Sequence, residues 1–164
     1  MILIALGSNL ESREGPPLCT LHAALDALAE KGILIVAVSR FYESAAWPDP
    51  SDPPFVNAVA RVATDLPPAQ LLKTLHGLEA EFGRVRSKRN APRTLDLDLL
   101  DYDGRIETGS LKLPHPRLAR RAFVLIPLAD VAPGWRHPES CESLEKLIEA
   151  LPPRERAAVR VCKA

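Results

Sequence analysis

Apolar and polar positions follow two rhythms along the chain. Met1 to Leu6 is continuously apolar and runs into Gly7-Ser8-Asn9, which predicts a buried strand ended by turn-forming residues. Pro16-Pro17 open a stretch with Leu18, Leu21, Leu25 and Leu28 on one helical face. Gly32 stands where a C-terminal cap belongs, so a helix of about four turns is expected. Strands are predicted over Ile33 to Val38, continuing toward Tyr42, and over Phe55 to Ala63. Between them, residues 45–54 hold four prolines, whose missing amide donors exclude both a helix interior and a central strand. Pro67-Pro68 start a second helix striped by Leu71, Leu72, Leu75, Leu78 and Phe82 and closed by Gly83. Leu95 to Leu100 then alternates with period two, setting Leu95, Leu97 and Leu99 on one face and Asp96 and Asp98 on the other.

The order β-α-β-β-α-β predicts an α+β domain with a ferredoxin-like core. In that arrangement an antiparallel sheet has one face packed by two helices and the other free for ligands or further elements. C-terminal elements add to this core. Leu144, Leu147, Ile148 and Leu151 form another helical stripe, stopped by Pro152-Pro153, whereas Arg154 to Ala164 shows no decisive period. No repeat or linker appears, so residues 1–164 are expected to fold as a single domain. With 21 Lys+Arg against 21 Asp+Glu there is no global basic field to hold a polynucleotide, and any charge-driven function must be local. Apolar runs stop far short of the roughly 20 residues that span a bilayer, and no basic flank precedes the first of them, so neither an anchor nor a secretory leader is expected. Cys19, Cys141 and Cys162 are odd in number and widely spaced, which suits free thiols in the cytoplasm.

Asp96-Leu97-Asp98 is the sharpest chemical signal. Two carboxylates two positions apart on a strand point to the same side roughly 6 to 7 Å apart, from which both can reach a shared pair of hard cations. Just before them, Arg84, Arg86, Lys88, Arg89 and Arg93 put five cations into ten residues without one acid. Cations beside a carboxylate metal site make sense when the ligand is a polyphosphate, because both then neutralise the same oxygens. Such a segment has little to pack on, so Arg84 to Ala91 is expected to act as a lid that orders over bound ligand. His115-Pro116-Arg117, with Arg120 and Arg121, supplies further donors. No P-loop, dinucleotide-binding fingerprint or kinase catalytic loop occurs, and aromatic residues do not interleave with the basic run as they would on a single-strand RNA platform. These features alone leave open a two-metal enzyme acting on a phosphodiester and a non-catalytic ligand- or RNA-binding module.

Leu6-Gly7-Ser8-Asn9-Leu10, Phe41-Tyr42-Glu43-Ser44, Phe55-Val56-Asn57-Ala58, Gly83-Arg84-Val85-Arg86, Pro92-Arg93-Thr94-Leu95-Asp96-Leu97-Asp98 and Pro114-His115-Pro116-Arg117 together resemble the ordered signature of the 6-hydroxymethyl-7,8-dihydropterin pyrophosphokinase family. The likeness runs from residue 1 to about Pro133. It implies a folate-pathway enzyme that moves a pyrophosphoryl group from ATP to the pterin's hydroxymethyl oxygen and releases AMP, acting as a monomer without nucleic-acid or membrane partners. By the resemblance, Asp96 and Asp98 would hold two Mg²⁺ ions, and Arg84 and Arg93 would join them in catalysis. Arg84, Arg86, Arg93, His115 and Arg121 would contact phosphate oxygens, with His76 and Glu79 lining the nucleotide site. Phe55 and Phe123 would sandwich the pterin, with Asn57 and backbone around Ser44 and Ala45 reading its polar edge. Relatives often carry Trp-Gly where this chain has Asn90-Ala91.

Overall fold

The structure, a computed structural model, describes residues 1–85 and 91–163. Its centre is an antiparallel sheet of β1 (Ile2–Ser8), β2 (Leu34–Val38), β3 (Tyr42–Ser44), β4 (Phe55–Ala63), β5 (Asp96–Tyr102) and a short β8 (Arg160–Val161). The strands run β5-β1-β4-β3-β8, with β2 alongside β3 on the same edge of β4. A small separate ribbon pairs β6 (Glu107–Thr108) with β7 (Lys112–Leu113). Helices α1 (Pro17–Glu30) and α2 (Pro68–Glu81) follow β1 and β4, so the β-α-β-β-α-β order and its antiparallel sheet are present as expected.

Alternation along the strands divides the interior. Ile2, Ile4, Leu6, Leu97 and Leu99 turn toward α1 and α2 and bury Leu21, Leu28, Leu71, Leu75 and Leu78. Leu3, Val59 and Leu100 turn to the opposite face, which α3 (Ala122–Val131), α4 (Leu144–Ala150) and the segment between them cover through Leu125, Leu128, Leu147 and Trp135. That face is therefore packed by the C-terminal elements around Leu3, Val59 and Leu100. A bulge in β5 brings Leu100 and Asp101 to it in succession. Asp101, buried there, accepts the indole N–H of Trp135 at 2.8 Å.

Both long helices open on proline at the first helical position, where the absent N–H costs no bond. Both also close on a glycine. After α2, Gly83 at φ +79° lets its own N–H reach the Ala80 carbonyl and the Arg84 N–H reach that of Glu79, each at 3.0 Å. This close folds the chain back so that Arg84 faces the end of β5.

The predicted second strand divides in two. At Ser39 the backbone pairs with Val59, but the Ser39 hydroxyl takes over as acceptor for the Val59 N–H at 3.0 Å. The Arg40 N–H leaves the ladder for Asp130 on α3 at 3.0 Å. β3 then resumes against the other end of β4. The undecided C-terminal stretch becomes α5 (Pro153–Ala158) and β8, which pairs with β3. Cys19, Cys141 and Cys162 are free thiols, as expected. Among the described residues no helix is long and apolar enough to cross a membrane.

Candidate active site

One row across the sheet assembles the site. Asp96 of β5 lies opposite Gly7 of β1, Gly7 opposite Asn57 of β4, and Asn57 opposite Tyr42 of β3. Leu97 and Leu99 are drawn into the core under α1 and α2, so Asp96 and Asp98 must stand on the other face. Gly7 forms the floor between them and β4. A Cβ placed on it would lie 3.5 Å from Asn57 Oδ1, 3.8 Å from the Phe55 ring and 3.9 Å from Asp96 Cβ. Any larger side chain would fill the space on which the three converge.

Each carboxylate is met by cations. Asp96, 26% exposed, accepts from Arg84 Nη1 at 2.7 Å and Arg93 Nη1 at 3.2 Å. Asp98, 31% exposed, accepts from Arg121 Nη1 at 3.2 Å, with His115 Nε2 at 3.7 Å. Burial pushes the His115 imidazole below its ordinary value, and Arg121 and Arg117 add to this while Asp98 and Asp96 oppose it. The Arg117 N–H donates to His115 Nδ1 at 3.1 Å, so the neutral ring carries its proton on Nε2, toward Asp98. Among the described residues no three His, Cys, Asp or Glu side chains gather as a metal cage. A half-buried pair of hard oxygen donors nevertheless fits Mg²⁺, which is commonly held by one or two carboxylates and completed by phosphate oxygens and water.

Glu79 behaves as a buried pin. It is 3% exposed, its Oε1 accepts the Leu97 N–H at 2.8 Å, and it forms an ion pair with Arg84. His76 lies three residues earlier on the exposed side of α2. Arg84, which the sequence placed at the start of a loosely packed segment, is thus anchored by Glu79 and Asp96. Arg86 and most of the expected lid lie outside the described residues.

On the other side of Gly7, Asn57 is buried and its Nδ2 donates to Ser44 Oγ at 2.9 Å. Phe55 stands at the end of β4 with the Arg93 guanidinium 5.9 Å from its ring centre. Ala45 is exposed just beyond Ser44. Phe123 occupies the first turn of α3, 36% exposed, with the Arg121 guanidinium 5.5 Å from its ring centre. The sequence reading did not single out Asn9 as a site residue. Its Oδ1 accepts the Arg93 N–H at 2.8 Å, and its Nδ2 donates to the Pro53 carbonyl at 3.0 Å. It therefore ties the arginine loop and the proline-rich loop to the end of β1. A polar residue directly behind a buried strand and a glycine was its signal.

Carboxylates and guanidiniums thus meet in one cluster at the β5 side of Gly7, with the Phe55 ring and the Asn57 amide on its β4 side. The fold belongs with solved structures of known type: a structure described as HPPK-DHPS in complex with substrates superimposes with a TM-score of 0.70 over 91% of this chain and 42% of its own, at 14% identity. This chain thus spans about two fifths of that longer protein. Residues 3–133 match the family model for 7,8-dihydro-6-hydroxymethylpterin-pyrophosphokinase (HPPK), and the chain belongs to that family. Relatives named 2-amino-4-hydroxy-6-hydroxymethyldihydropteridine pyrophosphokinase are 44% identical in Pseudomonas aeruginosa, over 92% of this chain and 91% of theirs, and 40% identical in Synechocystis sp., over 90% and 74%.

Asn57 offers a direct check on the pocket. Asn57→Ala should weaken pterin binding by roughly 1 to 3 kcal/mol, the cost of leaving a buried polar edge unpaired, while ATP affinity changes much less. Titration calorimetry with each ligand separates the two; equal losses, or loss of folding, would make Asn57 a structural residue.

Proposed function

We propose that this chain transfers the pyrophosphoryl group of ATP to the hydroxymethyl group of 6-hydroxymethyl-7,8-dihydropterin, giving AMP and the pterin diphosphate in tetrahydrofolate biosynthesis. The observation that carries this reading is the single row Asp96–Gly7–Asn57, with a metal-type carboxylate on one side of the glycine and an amide and the Phe55 ring on the other. In the reaction a bond forms from the hydroxymethyl oxygen to the β-phosphorus and the bond from that phosphorus to the α,β-bridging oxygen breaks. AMP leaves and the hydroxyl proton is released.

Asp96 and Asp98 would hold two Mg²⁺ ions, which supply charge neutralisation along the triphosphate. Arg84, Arg93 and Arg121 would contact the phosphate oxygens, Arg86 is assigned to them by its place in the family signature, and His115 would add a neutral N–H donor. Phe55 and Phe123 flank the pterin, while Asn57 and the backbone at Ser44 and Ala45 read its edge. Transfer of this kind asks little covalent chemistry of the protein, so positioning and electrostatics carry the rate. The chain acts as a cytoplasmic monomer on small molecules, without nucleic acid.

Incubation with Mg-ATP and the hydroxymethyl dihydropterin should yield AMP and pterin diphosphate in equal amounts. Cleaved nucleic acid without AMP would identify a phosphodiester-cleaving enzyme instead, and neither product would leave a binding module.

A further inference from the structure

Asp130 stands in the last turn of α3, where the partial negative charge of the helix end disfavours a carboxylate. Helix stability alone would not select it there. Its contacts lie elsewhere: Oδ2 accepts from the Arg40 backbone N–H at 3.0 Å, Arg40 Nε at 3.1 Å and the Tyr42 hydroxyl at 2.9 Å, and Oδ1 accepts from Arg40 Nη2 at 2.8 Å. Burial opposes ionisation of this carboxyl, but the bonds from Arg40 and Tyr42 outweigh it and hold the group below the usual carboxylate range.

All of these bonds fall on one short piece of chain. β3 is three residues long, and the backbone just before it has left the β2 ladder. Its ladder covers three residues against β4 and two against β8, so the bonds from Asp130 are the ones that reach its start from outside the sheet. Tyr42 is its first residue and is buried on the same sheet face as Asn57, with which it is in register. Two positions further on, Ser44 Oγ accepts from Asn57 Nδ2. Asp130 thus fixes the start of the strand whose far end meets the amide of the ring pocket. The carboxylates and arginines of the polyphosphate half lie toward β5, on the opposite side of β4 and β1.

We propose that Asp130 is a positioning residue for the pterin pocket: through the Tyr42 hydroxyl and the Arg40 backbone it sets β3, and hence Ser44 and the Asn57 amide, for the pterin edge, and it leaves nucleotide binding untouched. This rests on the pterin assignment made above.

Steady-state kinetics of Asp130→Ala, Tyr42→Phe and the double variant test it. Asp130→Ala should raise the pterin KM by about tenfold, on the scale of one or two hydrogen bonds, with the KM for Mg-ATP within about twofold of the parent. Tyr42→Phe should raise the pterin KM in the same direction and more weakly. The double variant should be no worse than Asp130→Ala, because both remove one pathway of contact. An unchanged pterin KM in Asp130→Ala, or equal rises for both substrates, would overturn the inference and make Asp130 a fastener of the fold. If Asp130→Ala does not fold, Tyr42→Phe decides alone: a selective rise in pterin KM sustains the inference and no rise overturns it. Absence of pterin turnover in the parent protein would refute the pterin assignment itself, and with it this role, before any variant is compared.

Discussion

Asp96→Asn and Asp98→Asn should each lower turnover by at least about 10²-fold, equivalent to about 2.7 kcal/mol of lost transition-state stabilisation. Each removes one negative charge from the pair proposed to hold Mg²⁺ against a triphosphate, and a neutral amide is a poor substitute for a hard anionic oxygen. The fold should survive. Both side chains are part-exposed, neither belongs to the core, and Leu97 and Leu99 still lock β5 in register. Thermal melting close to that of the parent, together with AMP release measured at saturating Mg²⁺, checks the two halves of the expectation. Full activity in either variant would remove that aspartate from the metal-holding role.

Glu79→Leu should instead strike stability, by roughly 3 kcal/mol. The substitution leaves the buried Leu97 N–H without its acceptor, worth about 1 to 3 kcal/mol, and takes from Arg84 one of its two carboxylate partners. Removing one member of a buried pair costs up to about 5 kcal/mol, but Arg84 keeps Asp96, so the sum stays toward the lower end. Glu79→Gln retains an acceptor for the amide and should lose clearly less. Denaturant unfolding of the two variants measures the difference. A loss below about 1 kcal/mol in Glu79→Leu would mean that this carboxylate is no pin, and that its place beside the site serves the nucleotide directly.

The parts of the molecule that could be read from the chain are those whose determinants are local. The period-two run from Leu95 to Leu100 commits Asp96 and Asp98 to one face whatever else the protein does, and the proline openings and glycine closures bound α1 and α2. What escaped is set by distant partners. The break between β2 and β3 depends on an Arg40 N–H captured by Asp130, ninety positions along the chain. α3 shows no stripe because it is apolar nearly all round and carries Pro127 within it, the signature of a helix buried on several sides. The β5 bulge, which sends Leu100 and Asp101 to the same face, interrupts the alternation only in three dimensions. In the site, Glu79 was placed by resemblance near the nucleotide, yet its burial and its bond to the Leu97 amide came only with the packing of α2 on β5. Asn9 acts through the Arg93 and Pro53 backbones, contacts that no spacing encodes.

The pairing of Asp96 with Arg84 and Arg93, and of Asp98 with Arg121, makes the site an ion exchanger. A guanidinium gives up its carboxylate at little cost only when another anion takes the place, and the carboxylate gives up its guanidinium only when another cation does. Inorganic phosphate by itself, or a divalent ion by itself, therefore meets charges that are already balanced. A metal–polyphosphate pair satisfies both sides of the exchange together. Whatever factor the nucleotide adds to cation affinity, the cation must add to nucleotide affinity, so in the proposed reaction the resting salt bridges would filter out single ions and favour the complete complex.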